Sequence, residues 1–149
     1  MNIVLVEPQI PPNTGNIARL CAATNTKLHL IGPMGFSLDD KYLKRAGLDY
    51  WPLVDMEYYK TYNDFVIKEK KGTLYYLSTK GVKLYTEVNY KEEDYLIFGN
   101  ETSGLSEELL ISNPENSITI PMLGKIRSLN LSCSAAVVLY EALRQVKKF

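Results

Sequence analysis

One histidine, two cysteines and no excess charge of either sign limit what this 149-residue chain can do. The single histidine, His29, lies inside the apolar run Lys27-Leu28-His29-Leu30-Ile31 and reads as structural, so a histidine-based triad is not expected. Cys21 and Cys133 fall beside apolar residues in expected helices and read as buried free thiols. A zinc site needs more ligands at closer spacing, so no metal is expected. Lys and Arg together number 17, as do Asp and Glu, which counts against a broad polyanion-binding face. Local basic clusters remain: Lys41, Lys44 and Arg45, then Lys125 with Arg127, then Arg144, Lys147 and Lys148, the last group where cations complement a helix C-terminus. No apolar run approaches the roughly 20 residues of a membrane-spanning helix. Met1-Asn2-Ile3-Val4-Leu5-Val6-Glu7 reads as a strand rather than a signal peptide, and a cytoplasmic protein with one domain over residues 1–149 is expected.

The common nucleotide and hydrolase signatures are missing as well. No G-x-G-x-x-G follows a strand, and there is neither a G-x-S-x-G elbow nor an H-E-x-x-H helix. Gly99 and Gly104 have the spacing of a phosphate loop, but Leu105-Ser106 stands where that loop needs a lysine.

What is present is an alternation of strand and helix. Strands are expected over Asn2 to Glu7, Lys27 to Ile31, Trp51 to Val54, Thr73 to Leu77, Tyr95 to Phe98 and Ser117 to Ile120. Pro8, Pro11 and Pro12 are expected to block regular structure, with a helix starting near Thr14 and burying Ile17, Leu20, Cys21 and Thr24. Further helices are expected over Asp39 to Ala46, Tyr62 to Lys70, a short one capped by Ser106, and Asn130 to Lys147. Such alternation implies an α/β fold, a mostly parallel sheet with helices on both faces. The loops Pro8 to Asn16, Ser78 to Gly81, Gly99 to Gly104 and Pro121 to Ser128 all follow strands, so they gather at one sheet edge, where ligands of such folds bind.

Three of these loops are polar in a way that suits a nucleotide-like ligand and a phosphate-bearing substrate: Asn13-Thr14-Gly15-Asn16-Ile17-Ala18-Arg19, Phe98-Gly99-Asn100-Glu101-Thr102-Ser103-Gly104, and Arg127-Ser128-Leu129-Asn130-Leu131-Ser132. Some of their residues have plainer uses. Asn13 or Thr14 suits the cap of the first helix, and Ser128 or Asn130 that of the last.

In this order and spacing, N-T-G-N-I-A-R, F-G-N-E-T-S-G-L and I-P-M…R-S-L-N-L-S resemble the motifs of the SPOUT methyltransferases, in their TrmH superfamily of 2′-O-ribose methyltransferases. P-Q-I-P-P-N-T-G-N, P-M-G-F, D-D-K and R-A-G-L-D-Y-W extend the resemblance over essentially the whole chain, toward the branch that methylates the wobble nucleotide of tRNA, leucine isoacceptors among them. The resemblance implies a C-terminal trefoil knot and S-adenosylmethionine as methyl donor. It implies cofactor contacts at Leu77, Ser78, Thr79, Gly99, Asn100, Glu101, Gly104, Ile120, Met122, Ser128 and Leu129, with Gly99 where backbone approaches the ligand. It places Arg19, Asn13, Ser128 and Asn130 at the reacting ribose, and Lys41, Lys44, Arg45 and Arg127 against tRNA phosphates. It also implies a homodimer without an appended RNA-binding domain, and leaves Tyr140 between packing and interface. Readings of other kinds are a methyltransferase for another tRNA or rRNA position, a non-catalytic RNA-binding protein of this fold, and a flavin-binding doubly wound protein.

Overall fold

A computed structural model describes all residues except Leu48, Asp49 and Lys70, and omits the side chains of Ala46 and Gly47. Its strands are β1 (Asn2–Val6), β2 (Lys27–Ile31), β3 (Met56–Tyr59), β4 (Leu74–Leu77), β5 (Lys83–Leu84), β6 (Tyr95–Phe98) and β7 (Ser117–Thr119). Its helices are α1 (Pro11–Thr24), α2 (Lys41–Gly47), α3 (Tyr62–Lys68), α4 (Glu107–Ser112) and α5 (Leu131–Lys147). The strands form one sheet in the order β3-β2-β1-β6-β4-β7-β5, and every described pair of strands is parallel.

Side-chain alternation along the strands divides the core into two layers. Ile3, Leu5, Leu96 and Phe98 face α1 and α5, where they meet Ile17, Ala18, Cys21, Ala135, Val138, Leu139 and Ala142. Val4, Ile97, Tyr76 and Tyr95 face the other way, toward Phe65 of α3 and Leu105. Burial on both faces explains why the central strands read as continuous apolar runs. Strand order reverses between β1 and β6, the kind of switch point at which α/β sheets bind ligands.

β7 inserts between β4 and β5, which are neighbours in sequence but not in the sheet. The connection and the residue just after β5 clasp it: Ser78 N–H donates to the Ile118 carbonyl (3.0 Å), Val82 N–H to Ser117 (3.1 Å) and Tyr85 N–H to Thr119 (2.9 Å). A Cβ on Gly81 would lie 2.3 Å from the Ile118 carbonyl carbon, so only glycine lets the loop pass this close.

Several sequence expectations are corrected. α1 starts at Pro11, not near Thr14, with prolines in its first turn. The first helical N–H groups have no intrahelical partner, so proline forfeits nothing there. Its N-cap is Ile10 with no side-chain cap bond, so neither Asn13 nor Thr14 caps it. Trp51–Leu53 is a 3₁₀ turn rather than a strand, and the strand lies at Met56–Tyr59 instead. Pro52 lacks the N–H that a ladder needs. Cys133 is exposed: it lies off the stripe of Ala135, Val138, Leu139 and Ala142 that α5 buries, whereas Cys21 is buried and its thiol pushed up to about 12 by burial. β5 was not expected, since two residues carry no periodic signal and the strand exists only through its partner β7. Helix α3 ends at Lys68, and Lys70 lies outside the described residues. Among the described residues no helix is long and apolar enough to cross a membrane.

Candidate active site

The loops after β1, β4, β6 and β7 converge on a cavity of about 670 Å³. Leu77, Ser78 and Thr79 enter from the β4 end; Gly99, Asn100, Glu101 and Gly104 from the β6 end; Ile120, Met122, Arg127, Ser128, Leu129 and Asn130 from the segment joining β7 to α5; and Asn13 from α1. All of the expected cofactor positions therefore line one cavity. Ile10, Lys80, Thr119 and Leu131 also line it, and sequence reasoning did not assign them to the site; Ile10 and Leu131 stand inside the motifs quoted above, whereas Lys80 and Thr119 carry no motif signal.

Gly99 is required by the packing of its own loop. A Cβ there would lie 2.0 Å from the Gly104 carbonyl carbon and 2.2 Å from the Leu105 nitrogen, so the loop's own backbone leaves no room for a side chain. Gly104 adopts φ of +68°, a left-handed conformation that glycine takes without steric cost. Asn100 folds the loop between them: its Oδ1 accepts from Thr102 N–H (3.0 Å), Ser103 N–H (2.8 Å) and the Ser103 hydroxyl (3.1 Å).

Glu101 ties two motifs together. Its carboxylate accepts from Gln9 N–H (2.9 Å), Ile10 N–H (3.1 Å) and Asn13 Nδ2 (3.3 Å), which fixes the loop entering α1. Asn13 in turn accepts from Asn130 Nδ2 at 3.0 Å, joining the first motif to the third. Asn130 keeps its Oδ1 for capping α5, accepting from Ser132 N–H at 2.9 Å. One asparagine thus serves as both helix cap and wall of the cavity. Thr14, buried next to Asn13, has a hydroxyl without a hydrogen-bond partner, for which nothing in the structure accounts.

Arg19 does not reach this cavity. It lies six residues beyond Asn13, about 9 Å along the helix and on a face roughly 120° away. Its guanidinium carbon sits 4.7 Å from the centroid of the Tyr50 ring. Lys41, Lys44 and Arg45 likewise lie outside the cavity, exposed on α2, which packs beside α1. Lys44 pairs with Asp39 at 3.5 Å.

His29 belongs to a separate polar cluster, toward the N-terminal ends of the strands and away from the cavity. Its ring is buried with Nδ1 3.3 Å from the Tyr59 hydroxyl and Nε2 3.3 Å from Asn2 Oδ1, and burial brings its pKa down to about 4. Ligand atoms of His29, Glu57 and Glu69 come within 4.8 Å of one another, but their groups are already engaged. Glu69 accepts from Tyr59 (3.0 Å) and Tyr95 (2.8 Å), and Glu57 pairs with Lys27 (3.0 Å) and Lys68. The arrangement is that of a hydrogen-bonded core histidine, as its sequence context implied.

The cavity itself combines apolar walls from Leu77, Ile120, Met122 and Leu129 with a polar rim of Ser78, Thr79, Ser128 and Asn130. This division suits a ligand with a flat apolar ring and hydroxyl-bearing ends, and the volume falls in the range of small-molecule sites.

The sequence matches the model of the SpoU rRNA methylase family over residues 1–140. The tRNA (cytidine(34)-2′-O)-methyltransferase of Escherichia coli K12 is 50% identical over 147 residues, covering 98% of this chain and 94% of that protein. The protein of the same name from Saccharophagus degradans is 51% identical over 146 residues, covering 97% and 95%. A solved structure described as giving insight into the 2-OH methylation of C/U34 on tRNA superposes with a TM-score of 0.95 at 43% identity, covering 99% of this chain and 97% of its own. Its cavity-forming loops and its agreement with these proteins along almost its full length make this chain a member of the SpoU methylase family.

Proposed function

We propose that this chain is an S-adenosylmethionine-dependent 2′-O-ribose methyltransferase acting on the cytidine or uridine at position 34 of tRNA. One observation carries the reading: the three motif loops meet around a single cavity in a chain about half identical to tRNA (cytidine(34)-2′-O)-methyltransferases. Leu77, Ile120, Met122 and Leu129 would hold the adenine of the cofactor, and Ser78, Thr79, Gly99 and Ser128 its polar ends. When bound, the cofactor supplies a methyl group that is already electrophilic.

The chain's residues then have two tasks, to hold the ribose 2′-hydroxyl in line and to help its proton leave. The Glu101–Asn13–Asn130 chain of hydrogen bonds keeps the first and third motifs in register, so that Ser128 and Asn130 meet the ribose in a fixed geometry. A guanidinium is a poor general base. The role of Arg19 is to bind the target phosphate and stabilise the developing alkoxide.

Because Arg19 stands outside the cavity of its own chain, the reading includes a homodimer in which each copy presents Arg19 to the other's cavity. Val137 and Tyr140 on the outer side of α5, with Leu129 and Ile10 near its start, are exposed apolar groups that support such a pairing. Lys41, Lys44 and Arg45 would take tRNA phosphates, with Arg127 at the cavity rim; such contacts position an RNA without reading its sequence. The same reading takes the chain as one domain whose C-terminal segment threads the loop between β4 and β5 as a trefoil knot. It also places the protein in the cytoplasm, with leucine isoacceptors among its substrates.

Transfer from labelled S-adenosylmethionine to tRNA unmodified at position 34 tests this. Label in tRNA is expected from the wild type, with a loss of at least about 100-fold in Arg19→Ala and cofactor affinity retained. Label in ribosomal RNA alone would move the substrate, and cofactor binding without transfer to any RNA would overturn the enzymatic reading.

A further inference from the structure

Within the segment R-A-G-L-D-Y-W, the described residues Arg45, Tyr50 and Trp51 stay outside the cavity, yet Tyr50 meets the face of Arg19. We propose that Tyr50 is a positioning residue for Arg19, its ring holding the guanidinium at the place on the outer side of α1 from which it acts on the substrate. This rests on the reading of Arg19 as the group that binds the target phosphate and alkoxide.

The separation of 4.7 Å is well within the range of cation–π attraction. Tyr50 is itself fixed. It precedes the 3₁₀ turn Trp51–Leu53, where Leu53 N–H donates to the Tyr50 carbonyl (2.9 Å) and Val54 N–H to that of Trp51 (3.2 Å). Trp51 and Val54 pack against the core layer that contains α1, so the turn cannot drift relative to the helix. Tyr50 is partly buried.

A ring suits this task better than a carboxylate. An arginine side chain has several rotatable bonds and loses much freedom when ordered. A carboxylate would order it by occupying its N–H donors and cancelling its charge. A ring engages only the flat face, so the edge keeps its donors for an anionic oxygen. The phenolic hydroxyl takes no part, so phenylalanine should serve as well.

Single-turnover methyl transfer to tRNA, with cofactor affinity and thermal unfolding measured in parallel, tests the proposal. Tyr50→Phe should stay within about twofold of wild type. Tyr50→Leu should lower the transfer rate about fivefold, with tRNA affinity, cofactor affinity and unfolding temperature close to wild type. In an Arg19→Ala background, Tyr50→Leu should cost nothing more. An unchanged rate in Tyr50→Leu, or an equal loss with and without Arg19, would overturn the proposal while leaving Arg19 its role. An Arg19→Ala enzyme as fast as wild type would overturn that role and the proposal with it.

Discussion

Gly99 carries a consequence that its motif does not announce. The space for its missing side chain is filled by Gly104 and Leu105, so Gly99→Ala must push the two ends of the loop apart. We expect a loss of about 2–4 kcal/mol in stability and at least about a tenfold loss in cofactor affinity, since the displaced loop is also a cavity wall. Denaturant unfolding and a cofactor titration check both, and wild-type values in either would show that the loop accommodates the methyl. His29 supports a prediction about pH. Burial, with Lys27 nearby, holds its pKa near 4 in the fold against the ordinary 6.5 of an unfolded chain. Between those values the unfolded chain binds more protons, so acid removes stability as the pH falls through this window, and the loss levels off below pH 4. From pH 7 to pH 5 it amounts to about 2 kcal/mol. Glu57, held down to about 2 mainly by its bonds from Lys68 and Lys27, adds its own loss only below about 4.5. Burial works to raise Glu69, but the hydroxyls of Tyr95 and Tyr59 outweigh it, so its loss too begins below that value. Urea unfolding at pH 7 and pH 5 should therefore show a drop in wild type that His29→Gln largely removes. An equal drop in both would assign it elsewhere. At this scale the motif residues around the cavity were legible, because their types and spacing are local. The anchoring by Glu101 and the outward position of Arg19 were not, since both depend on which loops the fold brings together.

At the scale of elements, the same asparagine can be asked about folding and function at once. Asn130 caps α5 and bonds Asn13 across the cavity. Asn130→Ala should cost about 1 kcal/mol for the lost cap. Asn130→Asp keeps a capping oxygen but places a carboxylate where Nδ2 donated to Asn13, so it should retain stability and lose most methyl transfer. Thermal unfolding alongside single-turnover rates separates the two. Equal transfer rates in Asn130→Asp and wild type would reduce the residue to a cap. The longer elements were readable because periodicity and capping are properties of the segment itself: β2 and β6 occur where expected, and α5 differs only at its first residue. The failures have physical causes. Prolines at Pro11 and Pro12 look like breakers unless they occupy the first turn, where they are harmless. β5 and the turn at Trp51–Leu53 owe their form to partners distant in sequence.

At the scale of the whole molecule, strand order does what no single segment can. The reversal between β1 and β6, with β7 set between β4 and β5, brings four loops spread over most of the sequence to one edge of the sheet. Alternation of strand and helix was enough to expect a parallel sheet covered on both faces, and hence a shared edge for the loops. The insertion of β7 was not readable from periodicity, because a pattern of apolar residues specifies what is buried and not which strands are neighbours. The family resemblance implied a C-terminal trefoil knot, not this order of strands. The central claim is that this edge transfers a methyl group to the ribose of nucleotide 34. The most direct test is to incubate the wild-type protein with S-adenosylmethionine and tRNA unmodified at position 34, then map the product by nuclease digestion and mass spectrometry. A single 2′-O-methylated cytidine or uridine is expected at position 34, formed at least about 100-fold more slowly by Arg19→Ala. A methyl group at any other nucleotide, or on a base, would contradict that claim.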